Sequence, residues 1–179
     1  MRLSSLAAIS SVCLASGTAL SLAGKRELPV VDNVDLTRYS GKWFEIARLP
    51  ASFERKCVSD VTATYALKPD GAIEVRNACR QANGKMTEST GTARLRDKNG
   101  PNSKLKVTFF WPLSGDYWII DLDHDYQWAL VGTPDRKYLW ILSRTPELSA
   151  DVYARLLARA KSLGFDISRV QRTQQAAAH

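Results

Sequence analysis

The chain is poor in metal-binding residues and has no long run of one charge. It contains only two histidines and three cysteines in 179 residues, and one histidine is the last residue. These residues provide no cluster of metal ligands, so the sequence predicts neither a metal site nor another cofactor. The net charge of +7 comes from scattered lysines and arginines, without a nucleic-acid-binding motif. Nucleic acid is therefore not an expected partner, and the charge favours either solubility or contact with an anionic membrane face.

Charge is also absent from residues 3–24, which are apolar and rich in small residues. Together with the small-residue motif Ser21-Leu22-Ala23, this predicts a secretory signal peptide over residues 1–23 and an exported protein. A membrane anchor and a lipoprotein acylated at Cys13 are the alternatives. Serine, glycine and threonine interrupt the stretch, which argues against a membrane span, and the residues before Cys13 fit a lipoprotein processing site poorly.

Removal of that peptide leaves two cysteines, Cys57 and Cys79. An even number of cysteines in an exported chain predicts one disulfide. Both cysteines also have the inward-facing parity on neighbouring predicted strands, which brings them close enough to bond. Two separate thiols are the alternative.

The segment from residue 41 to residue 144 is a series of short strand-like runs separated by turn signals. Pro69-Asp70-Gly71 and Asn83-Gly84 are the clearest of these turns. Eight consecutive strands at hairpin spacing predict an all-β fold, an eight-stranded antiparallel up-and-down barrel, with a β-sandwich as the alternative. The predicted strands are 42–49, 58–67, 72–79, 85–95, 104–110, 116–122, 127–131 and 137–143.

Two further segments belong to the same domain. Residues 24–40 are irregular and are expected to cross one end of the barrel. Residues 145–175 contain a helix, capped by Ser149 and ended by Gly164, followed by a polar tail. The helix has a single apolar stripe, which predicts packing on the outside of the barrel, with a membrane-surface helix as the alternative.

The first and last predicted strands carry a pattern that closes small barrels. Gly41 and Trp43 stand at the start of the first strand, and Arg144 follows the last strand. A guanidinium lying over the indole plugs one end through cation–π and stacking contacts. The sequence therefore predicts a cup that is closed at this end and open at the other.

Alternation of polar and apolar residues identifies the inner face of the cup. In the strand 104–110, Leu105, Val107 and Phe109 alternate with two lysines and a threonine, so the apolar set faces inward. An apolar lining with a few polar groups predicts an amphiphilic ligand with one acyl chain, whereas a filled core without ligand is the alternative. The candidate ligand contacts are Tyr65, Val75, Val107, Phe109, Tyr138 and Trp140.

Two strands are less clear. The first strand places Trp43, Glu45 and Ala47 on one face, which puts a carboxylate inside the barrel. A buried carboxylate is costly unless it is paired, so Glu45 is expected to meet a cation, a hydroxyl or water. The strand 116–122 is apolar on both faces, and its orientation stays open.

Several segments together resemble the lipocalin family, and within it the bacterial group related to apolipoprotein D. The resemblance covers roughly residues 32 to 172 and is carried by Gly41-Lys42-Trp43-Phe44-Glu45-Ile46-Ala47-Arg48, Phe53-Glu54-Arg55, Val61-Thr62-Ala63-Thr64-Tyr65, the run from Asp125 to Val131 and the run from Tyr138 to Pro146. It implies an eight-stranded calyx in which Gly41, Trp43 and Arg144 have the barrel-closing role and Trp140 lies on the cavity wall.

The resemblance also implies what the protein does. Fatty acids or lysophospholipids are the implied ligands, stored or transported for membrane maintenance by a protein that is not an enzyme. The implied location is the periplasm, in association with the outer membrane. Peripheral contact with the membrane and a homodimer are further expectations.

Three other functions remain open at this stage. A lipid-modifying enzyme needs a nucleophile or base, and Cys57, Cys79 and His124 are the only candidates considered. His124 stands in an Asp-His-Asp turn that is typical of solvated loops. A tetrapyrrole carrier would need Tyr or Cys as an iron ligand, because no inward histidine is evident. A protein-interaction module with an empty cup is the third alternative.

Overall fold

A closed antiparallel β-sheet forms the body of the computed structural model, which describes residues 27–176. The strand order is β2-β3-β4-β5-β6-β7-β8-β1-β9, and β1 also pairs with β2 and so closes the barrel. This confirms the eight-stranded antiparallel barrel and rules out the sandwich. The strands are β1 (Gly41–Arg48), β2 (Cys57–Leu67), β3 (Ile73–Gln81), β4 (Met86–Leu95), β5 (Lys104–Phe110), β6 (Leu113–Leu122), β7 (Trp128–Gly132), β8 (Leu139–Ser143) and the short β9 (Gln171–Arg172).

The predicted signal peptide, residues 1–23, and Cys13 lie outside the described residues. Between residues 27 and 176, no helix is long and apolar enough to cross a membrane.

Two α-helices accompany the barrel within residues 27–176. The first, α1 (Leu36–Tyr39), lies in the segment that crosses the barrel end, where the Asp35 carboxylate caps it. The second, α2 (Ala150–Ser162), begins at the predicted cap, since the Ser149 hydroxyl accepts the Val152 N–H, and it ends before Gly164, whose φ is +87°. A positive φ is easily adopted only by glycine, so the sequence marks this helix end clearly.

Two apolar cores lie on opposite faces of the same sheet. The outer core joins the barrel wall to α2, where Leu156 and Ala160 are fully buried against Trp128, Leu130 and Ile141. The helix therefore packs on the outside of the barrel, as its apolar stripe predicts. The inner core fills the lower part of the barrel around Trp43. The strand whose orientation the sequence leaves open, β6, contributes to both cores: Trp118 and Ile120 belong to the outer core, and Tyr117 and Ile119 face the interior.

The predicted inward position of Ala47 is wrong. The pairing of β1 with β8 shifts register between Glu45 and Ala47, so Ala47 stands opposite Ile141 and belongs to the outer core. Such a bulge adds one residue to one strand and reverses the alternation beyond it. As a result Arg48, rather than Ala47, lies on the same side as Glu45.

The C-terminal tail adds a strand that the sequence analysis did not predict. β1 pairs with β2 over Gly41–Phe44 and then pairs with β9 over Ala47–Arg48. The tail also bonds to the start of β2, because Asp60 N–H donates to the Gln174 carbonyl at 2.9 Å. β9 thus bonds to the part of β1 that β2 leaves unpaired.

The predicted disulfide between Cys57 and Cys79 is present, with a Cα–Cα distance of 5.5 Å. It joins the first residue of β2 to β3 across a sequence separation of 22 residues. A crosslink of that span removes conformational freedom chiefly from the unfolded chain.

We expect the double substitution Cys57→Ser/Cys79→Ser to lower the free energy of unfolding by about 3 kcal/mol, because the loop-closure entropy is lost. Urea denaturation followed by circular dichroism measures the loss. Reduction of the disulfide in the wild-type protein should lower the free energy of unfolding by the same amount. Equal midpoints for the oxidised protein and the double variant would contradict this stabilising role.

Candidate functional site at the barrel interior and its mouth

Arg144 lies at the closed end of the barrel, over the ring of Trp43. The guanidinium carbon is 3.9 Å from the ring centroid. The guanidinium also donates to the carbonyls of Lys42 at 3.0 Å and Arg38 at 2.6 Å. Its Nε donates to the Tyr126 carbonyl at 3.2 Å. One planar cation therefore contacts the start of β1, helix α1 and the β6–β7 turn, in a geometry that a lysine ammonium does not reproduce.

Gly41 makes room for this contact. Its φ is +96°, and a Cβ at this position would lie 3.3 Å from Nη1 of Arg144. Both the backbone conformation and the close approach favour glycine. The structure thus places the three predicted barrel-closing residues together at one end.

Three tyrosines form the floor of the interior above Trp43. The Tyr117 hydroxyl is 2.7 Å from that of Tyr39 and 2.8 Å from that of Tyr65. Burial raises the pKa of all three hydroxyls well above the usual tyrosine range, so they stay protonated. Because three hydroxyl protons share two hydrogen bonds, one O–H has no acceptor within the trio.

The inner wall becomes more accessible from the floor towards the other end, which we call the mouth. Along β5, Leu105 is buried, and Val107 and Phe109 are only partly buried. Along β8, Leu142 near the floor is buried, and Trp140 is partly buried. These partly buried side chains all pack on the inner core. The interior is therefore filled at the bottom and accessible in its upper part, as in a cup.

The six predicted ligand contacts are distributed along this gradient. Tyr65 and Val75 are buried in the inner core near the floor. Val107, Phe109 and Trp140 line the more accessible upper part. Tyr138 lies at the mouth, where its ring is 6.0 Å from Trp140 and 5.3 Å from Phe53.

A buried ionic network lies on the inner side of β1 near the mouth. Arg48 donates from Nη1 to Glu45 at 2.5 Å, and its Nε lies 3.1 Å from Glu54. Glu54 also accepts from the Trp140 indole at 3.2 Å, and the Thr173 hydroxyl donates to Glu45. The inward carboxylate of Glu45 thus has both a cationic partner and a hydroxyl, as its position requires.

One guanidinium does not compensate two carboxylates. Burial, and secondly the charge of Glu45, raise the pKa of Glu54 to about 7. Glu54 lies in the short helical turn Ser52–Glu54 of the β1–β2 loop, so its contacts with Arg48 and Trp140 tie that loop to the barrel wall at the mouth.

Comparison with known proteins agrees with this architecture. A family model described as a lipocalin-like domain matches residues 34–175. The chain is 42% identical to the outer membrane lipoprotein Blc of Escherichia coli over 176 residues, 98% of each chain. It is also 42% identical to temperature-induced lipocalin-1 of Arabidopsis thaliana over 158 residues, 84% of each chain.

The chain is a lipocalin. More distant relatives include bovine apolipoprotein D, which is 32% identical over 169 residues, 90% of this chain and 87% of that one. Insecticyanin from the tobacco hornworm Manduca sexta shares the fold, with a TM-score of 0.69 at 23% identity, covering 84% of this chain and 85% of that structure. The resemblance seen in the sequence to lipocalins, to their bacterial group and to apolipoprotein D is confirmed.

The sequence analysis missed four residues of this site. Tyr39 lies in a segment predicted to be irregular, and Tyr117 lies in the strand of open orientation. Arg48 and Glu54 were not predicted to face the interior. The need of Glu45 for a cation was the one available signal, but Lys42 and Arg48 are both three residues from it on the same strand, so sequence spacing does not choose between them.

We expect Arg144→Ala to lower the free energy of unfolding by about 2–4 kcal/mol, because the stacking on Trp43 and several carbonyl hydrogen bonds are lost. Arg144→Lys should recover less than half of this loss, since an ammonium lacks the planar fork. Urea denaturation measures both effects, with Arg76→Ala on the exposed face of β3 as the control. Ligand selectivity should persist because Arg144 is at the end opposite the mouth. An unchanged midpoint for Arg144→Ala would contradict the closing role.

Glu54 should make stability depend on pH. Its pKa of about 7 in the folded protein exceeds the ordinary glutamate value of 4.5, so the folded state holds the proton more tightly than the unfolded state. The resulting contribution of Glu54 to the free energy of unfolding is fully present below pH 4.5 and is lost as the pH rises through 7. Wild type should therefore lose about 2 kcal/mol between pH 5 and pH 8 relative to Glu54→Gln, which keeps an acceptor for Trp140.

Urea denaturation at the two pH values tests this expectation. Glu88→Gln, at an exposed position on β4, is the matched control and should run parallel to wild type. A Glu54→Gln variant that also ran parallel to wild type would show that this carboxyl titrates normally.

Proposed function

We propose that this lipocalin binds, stores or transports a single-chain lipid, a fatty acid or a lysophospholipid, for maintenance of the cell-envelope membrane. The observation that carries the proposal is the apolar inner wall, which is buried near the floor and accessible at Val107, Phe109 and Trp140. A narrow apolar cup with polar groups at its opening suits one acyl chain and a polar head group.

The polar groups suggest the orientation of the lipid. The floor is closed by Tyr39, Tyr65 and Tyr117, whereas the network of Glu45, Arg48 and Glu54 lies near the mouth. We therefore place the acyl chain below Trp140 and the head group at the mouth. A zwitterionic head group would then offer charges of both signs to the Arg48 guanidinium and the carboxyls, and a hydroxyl would offer them a hydrogen bond.

Asn77 provides a further polar group on the inner wall that a ligand could contact. Its Oδ1 is buried, and within residues 27–176 it has no hydrogen-bond partner. Asn77 pairs with Ala63 and Ser89 between the floor and the mouth. A ligand hydroxyl such as that of a glycerol unit would satisfy this acceptor.

We extend the proposal to location and partners. The Escherichia coli relative is described as an outer membrane lipoprotein, which supports export to the periplasm and association with the outer membrane. Peripheral contact with that membrane would give the carrier access to its lipid. Dimerisation stays a prediction, for which analytical ultracentrifugation is the measurement.

The cysteines and the histidine that could serve a lipid-modifying enzyme are poorly placed for catalysis at the mouth. Cys57 and Cys79 are bonded to each other, so neither is a free nucleophile. His124 lies in the exposed β6–β7 turn at the closed end, away from the mouth. We therefore propose a carrier rather than a lipid-modifying enzyme.

Native mass spectrometry of the protein, followed by denaturing extraction, tests the proposal directly. We expect a lysophospholipid or fatty acid to bind at a stoichiometry near one per barrel and to be recovered chemically unchanged. A chemically altered lipid would indicate the enzyme alternative. Failure of every single-chain lipid to bind would refute the carrier function.

Trp140→Asp should weaken lysophospholipid binding by roughly tenfold or more, because it replaces apolar wall area with a charge. Val107→Trp should do the same without a charge, by filling the upper part of the cup. Displacement of a fluorescent fatty acid measures both effects, and Leu67→Asp, at an exposed position near the closed end, is the control. Unchanged affinity in both wall variants would place the lipid outside the barrel.

A further inference from the structure

The exposed large apolar side chains concentrate at one end of the barrel. In the part of the chain that the structure describes, seven such side chains are exposed. Six of them stand in or next to the loops at the mouth, and only Leu67 is near the closed end. Scattered apolar residues on a surface need no explanation, whereas a concentration at one end marks an interaction surface. The six are Phe53, Val58, Met86, Phe110, Trp111 and Leu113.

The β5–β6 turn is the most exposed part of this concentration. Trp111 is 88% exposed, Leu113 75% and Phe110 71%, although they follow one another almost directly in the chain. Together with Pro112 they form an apolar tip at the end of the β5–β6 hairpin. A tryptophan at such a tip suits the boundary between lipid head groups and acyl chains, where its ring is apolar and its N–H stays hydrated.

Exposed cations stand in the other loops at the mouth. Arg55 and Lys56 stand in the β1–β2 loop, Lys85 in the β3–β4 turn and Lys137 in the β7–β8 turn, all at the mouth and all exposed. The neighbouring acidic residues are fewer: Glu54 is within the buried network, and Asp135 lies 3.6 Å from Lys137.

A groove beside the mouth is also lined mainly by cationic side chains among its charged residues. Its volume is about 320 Å³, and Arg136, Lys137 and Arg169 line it together with Tyr138 and a single acidic residue, Asp166. Three cations lining one groove suit a phosphate-bearing head group.

The closed end differs from the mouth chiefly in its apolar surface: among residues 27–176, Leu67 is the one exposed large apolar side chain near it. The charges of its turns nearly balance, because Asp70, Asp97, Asp123 and Asp125 are accompanied by Lys68, Arg96 and Lys98. The mouth loops combine an excess of cations with the exposed apolar side chains, so a negatively charged surface attracts the mouth more strongly than the closed end.

We propose that the mouth surface, made of Phe53, Phe110, Trp111, Leu113, Lys56 and Lys85, docks on an anionic lipid bilayer. The apolar tip inserts among the head groups while the lysines contact lipid phosphates. This surface specifies the proposed membrane contact, but it does not depend on which ligand the barrel holds. The coincidence of apolar tip and cations favours a bilayer over a second copy of the chain, because two copies would bring their lysines together.

Co-sedimentation of the purified protein with vesicles tests the proposal. We expect binding to vesicles of phosphatidylcholine mixed with phosphatidylglycerol, weak binding to phosphatidylcholine alone, and loss of binding at high salt. Trp111→Ser/Leu113→Ser should lower the partition coefficient by roughly tenfold or more, through loss of inserted apolar surface. Lys56→Gln/Lys85→Gln should lower it by a similar factor on anionic vesicles only. Comparison among variants holds any contribution of the N-terminus constant.

The closed end offers matched controls, since Leu67→Ser and Lys98→Gln make the same kinds of change at exposed positions there. Neither should alter vesicle binding. Brominated lipids should quench tryptophan fluorescence in wild type and quench it less in Trp111→Phe, which keeps an apolar tip. Equal quenching, or vesicle binding that the mouth variants leave unchanged, would overturn the proposal.

Two more measurements separate this proposal from the others. Binding of submicellar lysophospholipid should be unchanged in Trp111→Ser/Leu113→Ser, so loss of docking and loss of ligand binding are distinguishable. Analytical ultracentrifugation of the same variants reports on association between copies. If these variants abolished a dimer and left vesicle binding intact, the mouth surface would be a contact between protein copies and the docking proposal would be wrong.

Discussion

The closure of the barrel at one end depends on the contacts of the Arg144 guanidinium. It stacks on Trp43 and donates to carbonyls from β1, from α1 and from the β6–β7 turn. The β6–β7 turn is distant in sequence from α1 and β1, and all three segments have backbone acceptors that would otherwise need water. One cation satisfies these carbonyls together and closes the barrel end beneath Trp43 and the tyrosine floor. The remaining interior is then free to stay accessible at the opposite end.

The alternation of residues explains why so much of the fold could be predicted. In β5, lysines alternate with Leu105 and Val107, and the apolar set indeed faces the inner core. The same rule failed for β6, because this strand is buried on both faces. Trp118 and Ile120 belong to the outer core, while Tyr117 and Ile119 face the interior, so apolar residues occupy both faces in the middle of the strand. A strand between two cores lacks the alternation of polar and apolar residues that would predict which side chains face the interior.

Features that depend on distant contacts were not predictable in the same way. The bulge after Glu45 reverses the side of Ala47, and β9 pairs with β1 although more than a hundred residues separate them. The network near the mouth combines both features, since Arg48 follows the bulge and Thr173 belongs to the tail. Local pattern gives only the need for a partner at Glu45. Which partner meets that need depends on register and tail docking, and neither leaves a periodic signal.

The position of the mouth also bears on which lipids can be carried. If the head group stays at the mouth, the lipid enters the barrel acyl end first, which is opposite to the direction in which a bilayer presents its lipids. The lipid therefore has to leave the bilayer and turn, and the cost rises with the acyl area exposed to water. A lipid with one chain exposes about half the area of a lipid with two. An apolar tip at the mouth, formed by Trp111 and its neighbours, shortens the path over which that chain meets water. The proposed docking and the proposed preference for single-chain lipids thus rest on the same geometry.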